Sequence, residues 1–165
     1  MPWIQLGEID PATTLTPPPA PFPETSTPEQ RAALRFRVSG NAVFTGGAGM
    51  LAIASARALL EHGLSGLALL DLPSALQKGD AEIDALRRDF PSARIITHQC
   101  DVTDAAGMQE VAEKIKIELG ELNILCCFAG IVNCVAAEDI AVEQWRRVID
   151  VNTTGSWIAA QAVGK

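Results

Sequence analysis

The chain has no tyrosine, only two histidines and four cysteines in 165 residues, and each scarcity closes a route. Without a tyrosine, no phenol within these residues can serve as an acid or base toward an alcohol oxygen. The cysteines (Cys100, Cys126, Cys127, Cys134) are too few for a disulfide scaffold in a chain of this length. They also lack the Cys-x-x-Cys spacing with nearby histidine that zinc prefers, and His62 and His98 add no such pattern, so no metal site is expected. Cys126 and Cys127 sit inside an apolar run and read as small buried residues. Basic residues are outnumbered, 13 Lys and Arg against 20 Asp and Glu, for a net charge of −7. A surface of that sign repels phosphate backbones and argues against nucleic acid as a partner. No apolar run of membrane-spanning length occurs. The N-terminus has neither a basic n-region nor an apolar h-region, so a cytoplasmic location is expected.

What is present divides in two. Eight of the ten prolines lie in residues 1–39, among them Pro17, Pro18, Pro19, Pro21 and Pro23. Proline fixes φ and lacks an amide donor, so this zone is expected to form a flexible arm with neither a helix nor a central strand. A tail for a proline-reading partner is the alternative.

From Gly40 the pattern becomes strands alternating with helices. The apolar runs 41–45, 67–71, 94–98 and 122–128 read as strands. Between them lie a helix from Met50 to His62 with Gly63 as its C-terminal stop, and one helix reaching Phe90 before Pro91. An amphipathic helix follows with Met108, Val111, Ala112, Ile115 and Leu119 on one face, N-capped by Thr103 or Asp104. A last helix starts near Val142 and runs through Gly155 to the end. Strands separated by helices of this length predict an α/β fold, a parallel sheet of four strands with helices on both faces. Ligands of such sheets sit beyond the carboxyl ends of the strands.

Those ends carry the informative residues. After the first strand comes Thr45-Gly46-Gly47-Ala48-Gly49-Met50-Leu51-Ala52. A glycine turn opening a helix lets main-chain amides approach a pyrophosphate. The stretch fits G-x-G-x-x-A from Gly47, or T-G-x-x-x-G-x-G from Thr45 with Met50 and Ala52 in place of the later glycines. Asp71 closes the second strand, where a carboxylate can accept from a ribose diol and would repel a 2′-phosphate. This favours NAD over NADP. Asp101-Val102 follows the third strand and Ala129-Gly130 the fourth; the small pair lets a ribose and nicotinamide lie against the backbone.

With these residues the chain resembles the short-chain dehydrogenase/reductase family. The likeness runs through Thr45–Gly49, Arg57–Gly63, Asp71, Asp101-Val102-Thr103, Ala129-Gly130 and Asp150-Val151-Asn152, and covers residues 40–165. It is nearest to polyol dehydrogenases and ketose reductases, with Cys126-Cys127-Phe128-Ala129-Gly130 standing where those have Asn-Asn-Ala-Gly. The resemblance implies an NAD(P)-binding Rossmann half-domain that interconverts a secondary alcohol and a ketone once complete. It places Leu51 and the glycine turn at the pyrophosphate, Asp71 at the adenosine ribose, and Asp101 and Val102 at the adenine. Phe128, Ala129 and Gly130 fall near the nicotinamide ribose, and Asn152 matches the asparagine that helps to organise a proton-relay water. Three departures stand out. Met50 puts a side chain where the family has glycine, Phe128 cannot make an asparagine's hydrogen bonds, and the family's Ser and Tyr-x-x-x-Lys would fall after residue 165. A truncated enzyme is therefore expected, its fourth strand left as a bare apolar edge that self-association or a full-length relative would cover. The alternatives are a non-catalytic nucleotide-binding or dimerising remnant, and a methyltransferase using S-adenosylmethionine. The methyltransferase would want an acid at the end of the first strand, where Val43-Phe44-Thr45 has none.

Overall fold

The computed structural model describes residues 22–165, which divide after Phe36 into two compact units. In the first, helix α1 (Pro28–Arg35) contradicts the expectation that the proline-rich zone holds no helix. Pro28 occupies the first helical position, where an amide donor has no intrahelical acceptor to lose. Thr27 closes a capping box: its Oγ1 accepts from Gln30 N at 3.2 Å, and its own N–H donates to Gln30 Oε1 at 2.9 Å. Residues 1–21 of the expected arm (1–39) lie outside the described residues.

The second unit is a parallel four-stranded sheet of order β3-β2-β1-β4, built from β1 (Asn41–Thr45), β2 (Gly66–Asp71), β3 (Arg94–Gln99) and β4 (Ile124–Cys127). Alternate side chains of the central strands feed two cores. Val43, Ala68 and Leu70 meet helices α5 (Ala105–Leu119) and α7 (Gly155–Val163) on one face. Ala42, Phe44, Leu67 and Leu69 meet α2 (Met50–Glu61) and α4 (Asp80–Asp89) on the other. Helices on both faces account for the near-continuous apolar text of β1 and β2, which are buried on both sides. This is the α/β parallel sheet the strand–helix alternation predicts.

Several boundaries differ from the sequence reading. The helix expected to run to Phe90 is broken into α3 (Pro73–Lys78) and α4, because Gly79 packs flat on Ala48; a Cβ there would meet the Ala48 carbonyl oxygen at 3.0 Å. The last helix is interrupted as well. Helix α6 (Val142–Ile149) passes through a π-helical turn, Asp150–Thr154, before α7 begins. At that junction Gly155 sits against Val102, where a Cβ would lie 2.7 Å from Val102 Cγ2. Strand β4 spans only Ile124–Cys127, and as an edge strand it leaves Cys126 half-buried and Cys127 exposed, which corrects the reading of both as buried residues.

Of the two candidates for capping α5, Asp104 does so: its Oδ1 accepts from Gly107 N at 3.0 Å. Asp104→Ala should therefore lower stability by about 1 kcal/mol, read as an earlier urea midpoint with an unchanged slope.

Candidate functional site

Strand order reverses at β1: the chain steps from β1 to β2 to β3 on one side, then returns to place β4 on the other. The loops leaving β1 and β4 diverge there, and a cleft of about 760 Å³ opens across the carboxyl ends of the strands.

Its floor is set by close backbone approach. Gly46 has φ +65°, and a Cβ on it would lie 2.5 Å from Ala129 N, so only glycine lets β1 turn beneath the loop leaving β4. Thr45 lies below the cleft, buried, with its Oγ1 accepting from Ala129 N at 3.5 Å. Gly47 fits against β2, where a Cβ would come within 2.8 Å of Leu69 Cα. Gly49 reaches the cleft and starts α2 with no side chain capping it. The first-turn amides of a helix have no intrahelical acceptor, so this terminus fits an anionic group laid on the turn. Met50 does not crowd it: the side chain is 90% exposed and is not among the groups lining the cleft.

Asp71 is tied to the same turn. Its Oδ2 accepts from Ala48 N at 3.1 Å and its Oδ1 from Leu72 N at 2.8 Å. Each oxygen keeps a second lone pair, so the carboxylate still has acceptor capacity toward the cleft. Asp101 caps its own turn, Oδ1 accepting from Thr103 N at 2.9 Å and Thr103 Oγ1 at 2.7 Å. These bonds, led by the backbone donor, hold its carboxyl below the usual value of 3.8, with the Arg147 charge adding to them.

Eight of the residues singled out from the sequence meet in this cleft: Gly46, Gly49, Asp71, Asp101, Val102, Phe128, Ala129 and Gly130. Phe128 packs its ring on Phe44, centroids 5.2 Å apart, so it fills space where an asparagine would bond. Thr45 and Gly47 support the cleft without lining it, and Leu51 stands outside on α2, 76% exposed. Asn152 lies behind the β4 loop in the π-helical turn. Its Oδ1 accepts from Ile131 N at 2.8 Å and its Nδ2 donates to Ile131 O at 2.9 Å, so the amide clamps the segment following Gly130. Sequence reasoning missed Glu143, Arg146 and Arg147, which bring α6 over the cleft, and named Asp150 only as part of a motif without a place in the cleft. The signal was there in Arg146-Arg147, one turn before Asp150, on a helix following the strand-four loop.

This geometry defines a class, a doubly wound α/β protein with an open cleft at the switch point. Comparison with known proteins gives the family. The profile described as short chain dehydrogenase matches residues 40–165. The chain is 32% identical over 131 residues to D-threitol dehydrogenase of Mycolicibacterium smegmatis, covering 79% of this chain and 48% of that one. It is 31% identical to NAD-dependent glycerol dehydrogenase of Listeria innocua, over 75% of this chain and 46% of that one. An NAD+-bound xylitol dehydrogenase superposes with a TM-score of 0.63 at 25% identity, covering 75% of this chain and 46% of that one. The chain belongs to the short-chain dehydrogenase family, and it spans about half the length of the curated relatives it matches.

Two measurements check the site's chemistry. Because the folded carboxyl of Asp101 titrates below its unfolded value of 3.8, its stabilising effect is complete above about pH 4 and is lost as pH falls through the folded pKa. The acid limb of a pH–stability curve should flatten in Asp101→Asn, and the Asp101 carboxyl should titrate closer to 3.8 in Thr103→Val, read by NMR. Burial, with Asp104 and Asp101 adding to it, pushes the Cys100 thiol up to about 11. At pH 8 iodoacetamide should modify the exposed Cys127 and Cys134 well before Cys100, as mapped by mass spectrometry.

Proposed function

We propose that this chain is the nucleotide-binding part of an NAD(P)-linked oxidoreductase that interconverts a secondary alcohol and a ketone, polyols being the substrate class and NAD the preferred coenzyme. The observation that carries the reading is the uncapped start of α2 at Gly49 opening into the same cleft as Asp71. A turn of main-chain donors beside a carboxylate with spare acceptor capacity suits a diphosphate joined to a ribose diol. The relatives named above as NAD-dependent, NAD+-bound or acting on polyols support the same coenzyme and substrate class.

In this reading the Gly46–Gly49 turn and the main-chain amide of Leu51, in the first turn of α2, hold the diphosphate, and Asp71 accepts from the adenosine ribose. Asp101 and Val102 border the adenine, while Phe128, Ala129 and Gly130 form the wall beside the nicotinamide ribose. The bound coenzyme would supply the hydride acceptor. Asn152 acts through Ile131, holding the loop after β4 in position. Association with a second copy or with a longer relative belongs to the same proposal, and so does a cytoplasmic location. Among the described residues no helix is long and apolar enough to cross a membrane.

A second reading is a protein that binds nucleotide or pairs with a relative without turnover of its own. Isothermal titration of the intact chain with NADH and NADPH, beside a ketone-reduction assay, tests both. NADH should bind at least about tenfold tighter than NADPH, a difference of about 1.4 kcal/mol. Asp71→Asn should narrow that preference by removing the charge that repels a 2′-phosphate. Equal affinity for the two coenzymes would refute the NAD preference, and binding without reduction would favour the second reading.

A further inference from the structure

Resting on the dinucleotide reading, we infer that Arg146 and Arg147 of α6 form the cationic wall of the cleft and hold the phosphate charge of the bound nucleotide. The charged side chains lining the cleft are Asp71, Asp101, Glu143 and Asp150 on the acidic side and Arg146 and Arg147 on the basic side. The cleft therefore carries an acidic excess, in a chain whose net charge is already −7. An anionic ligand entering it meets repulsion from the acids and two positive groups that oppose it.

Arg147 lies within the field of Asp101, whose carboxyl it helps to hold low, but among the described residues neither arginine is directly paired with an acid. Glu143 and Asp150 stand three or four residues from them on the helical path, yet among the described residues neither guanidinium has an ion pair within 4.0 Å or a side-chain hydrogen bond to an acid. Arg57 and Arg87, by contrast, are both engaged, with Asp89 at 2.8 Å and Asp84 at 2.9 Å. Two guanidiniums whose donor forks meet no acid among the described residues, lining the same cleft as the uncapped end of α2, are suited to phosphate oxygens. The glycine turn then acts from below through main-chain dipoles, and α6 acts from the side through full charges.

The shared chemistry is a phosphate group, of the diphosphate bridge or of a 2′-phosphate, and the probes separate these. Adenosine, ADP, 2′,5′-ADP and NADH are titrated into the wild-type chain and into Arg146→Gln/Arg147→Gln, with circular dichroism and thermal melting confirming that the variant folds. ADP and NADH should bind the variant about tenfold or more weakly, with a shallower dependence on salt, while adenosine affinity changes by less than twofold. A larger loss for 2′,5′-ADP than for ADP assigns the pair to the 2′-phosphate; equal losses assign it to the diphosphate. Unchanged ADP and NADH affinity, or an equal loss for adenosine, overturns the inference and leaves the dinucleotide reading standing. A wild-type chain that binds none of the phosphorylated probes overturns both.

Discussion

The cleft depends on one close approach, the passage of the Gly46 backbone beneath Phe128 and Ala129. Thr45, in register with Leu70 of β2 and Cys127 of β4, is the last residue of β1 paired to both neighbours. One residue later the chain enters the left-handed region at φ +65°, and the space a side chain would need is already filled by the Ala129 amide. Gly47 meets β2 with equal intimacy, and its amide donates to Leu70 O at 2.9 Å. The turn is thus pinned to both adjacent strands before α2 begins. The helix start is thereby delivered to the switch point of the sheet, and the crevice between the β1 and β4 loops stays open.

Polar contacts extend that constraint sideways. Asp71 joins the glycine turn to the end of β2 through Ala48 N, and Asp101 stiffens the end of β3 through Thr103. Asn152 does the same for the loop after β4 through the main-chain N–H and C=O of Ile131. Carboxylates and an amide that would read as ligand groups are each first a structural tie. This dual use costs little in binding capacity, because an ionised carboxylate that has accepted one bond per oxygen can accept again. It also holds these groups in place before a ligand arrives, which reduces the ordering a bound nucleotide would require.

Strand text was legible because burial on both faces demands uninterrupted apolar residues, as in Ala42-Val43-Phe44 and Leu67-Ala68-Leu69-Leu70. The glycine turn and Asp71 were legible because their positions follow from where strands end. What escaped were features set by tertiary contact. Gly79 reads as tolerable inside a helix, and only its packing on Ala48 shows why the helix breaks there. Gly155 reads as helix interior, while its contact with Val102 accompanies the π-helical turn that carries Asn152. Cys127 has the composition of a core residue and the exposure of an edge. Pro28 was misread for the opposite reason: a local rule against proline in helices was applied without its exception at the first turn.

Arg146 and Arg147 show the deeper limit. Main-chain recognition elements are bound to strand ends, so their place in a site can be read from spacing alone. Side chains that reach a cleft from a helix depend on that helix's rotation and tilt, here altered by the extra residue of a π-helical turn just below them. The same π-helical turn carries Asn152 to Ile131 and joins α6, whose Glu143, Arg146 and Arg147 line the cleft, to α7. The pair Arg146-Arg147 is visible in the sequence, but that it lines the cleft depends on a backbone irregularity that periodicity conceals.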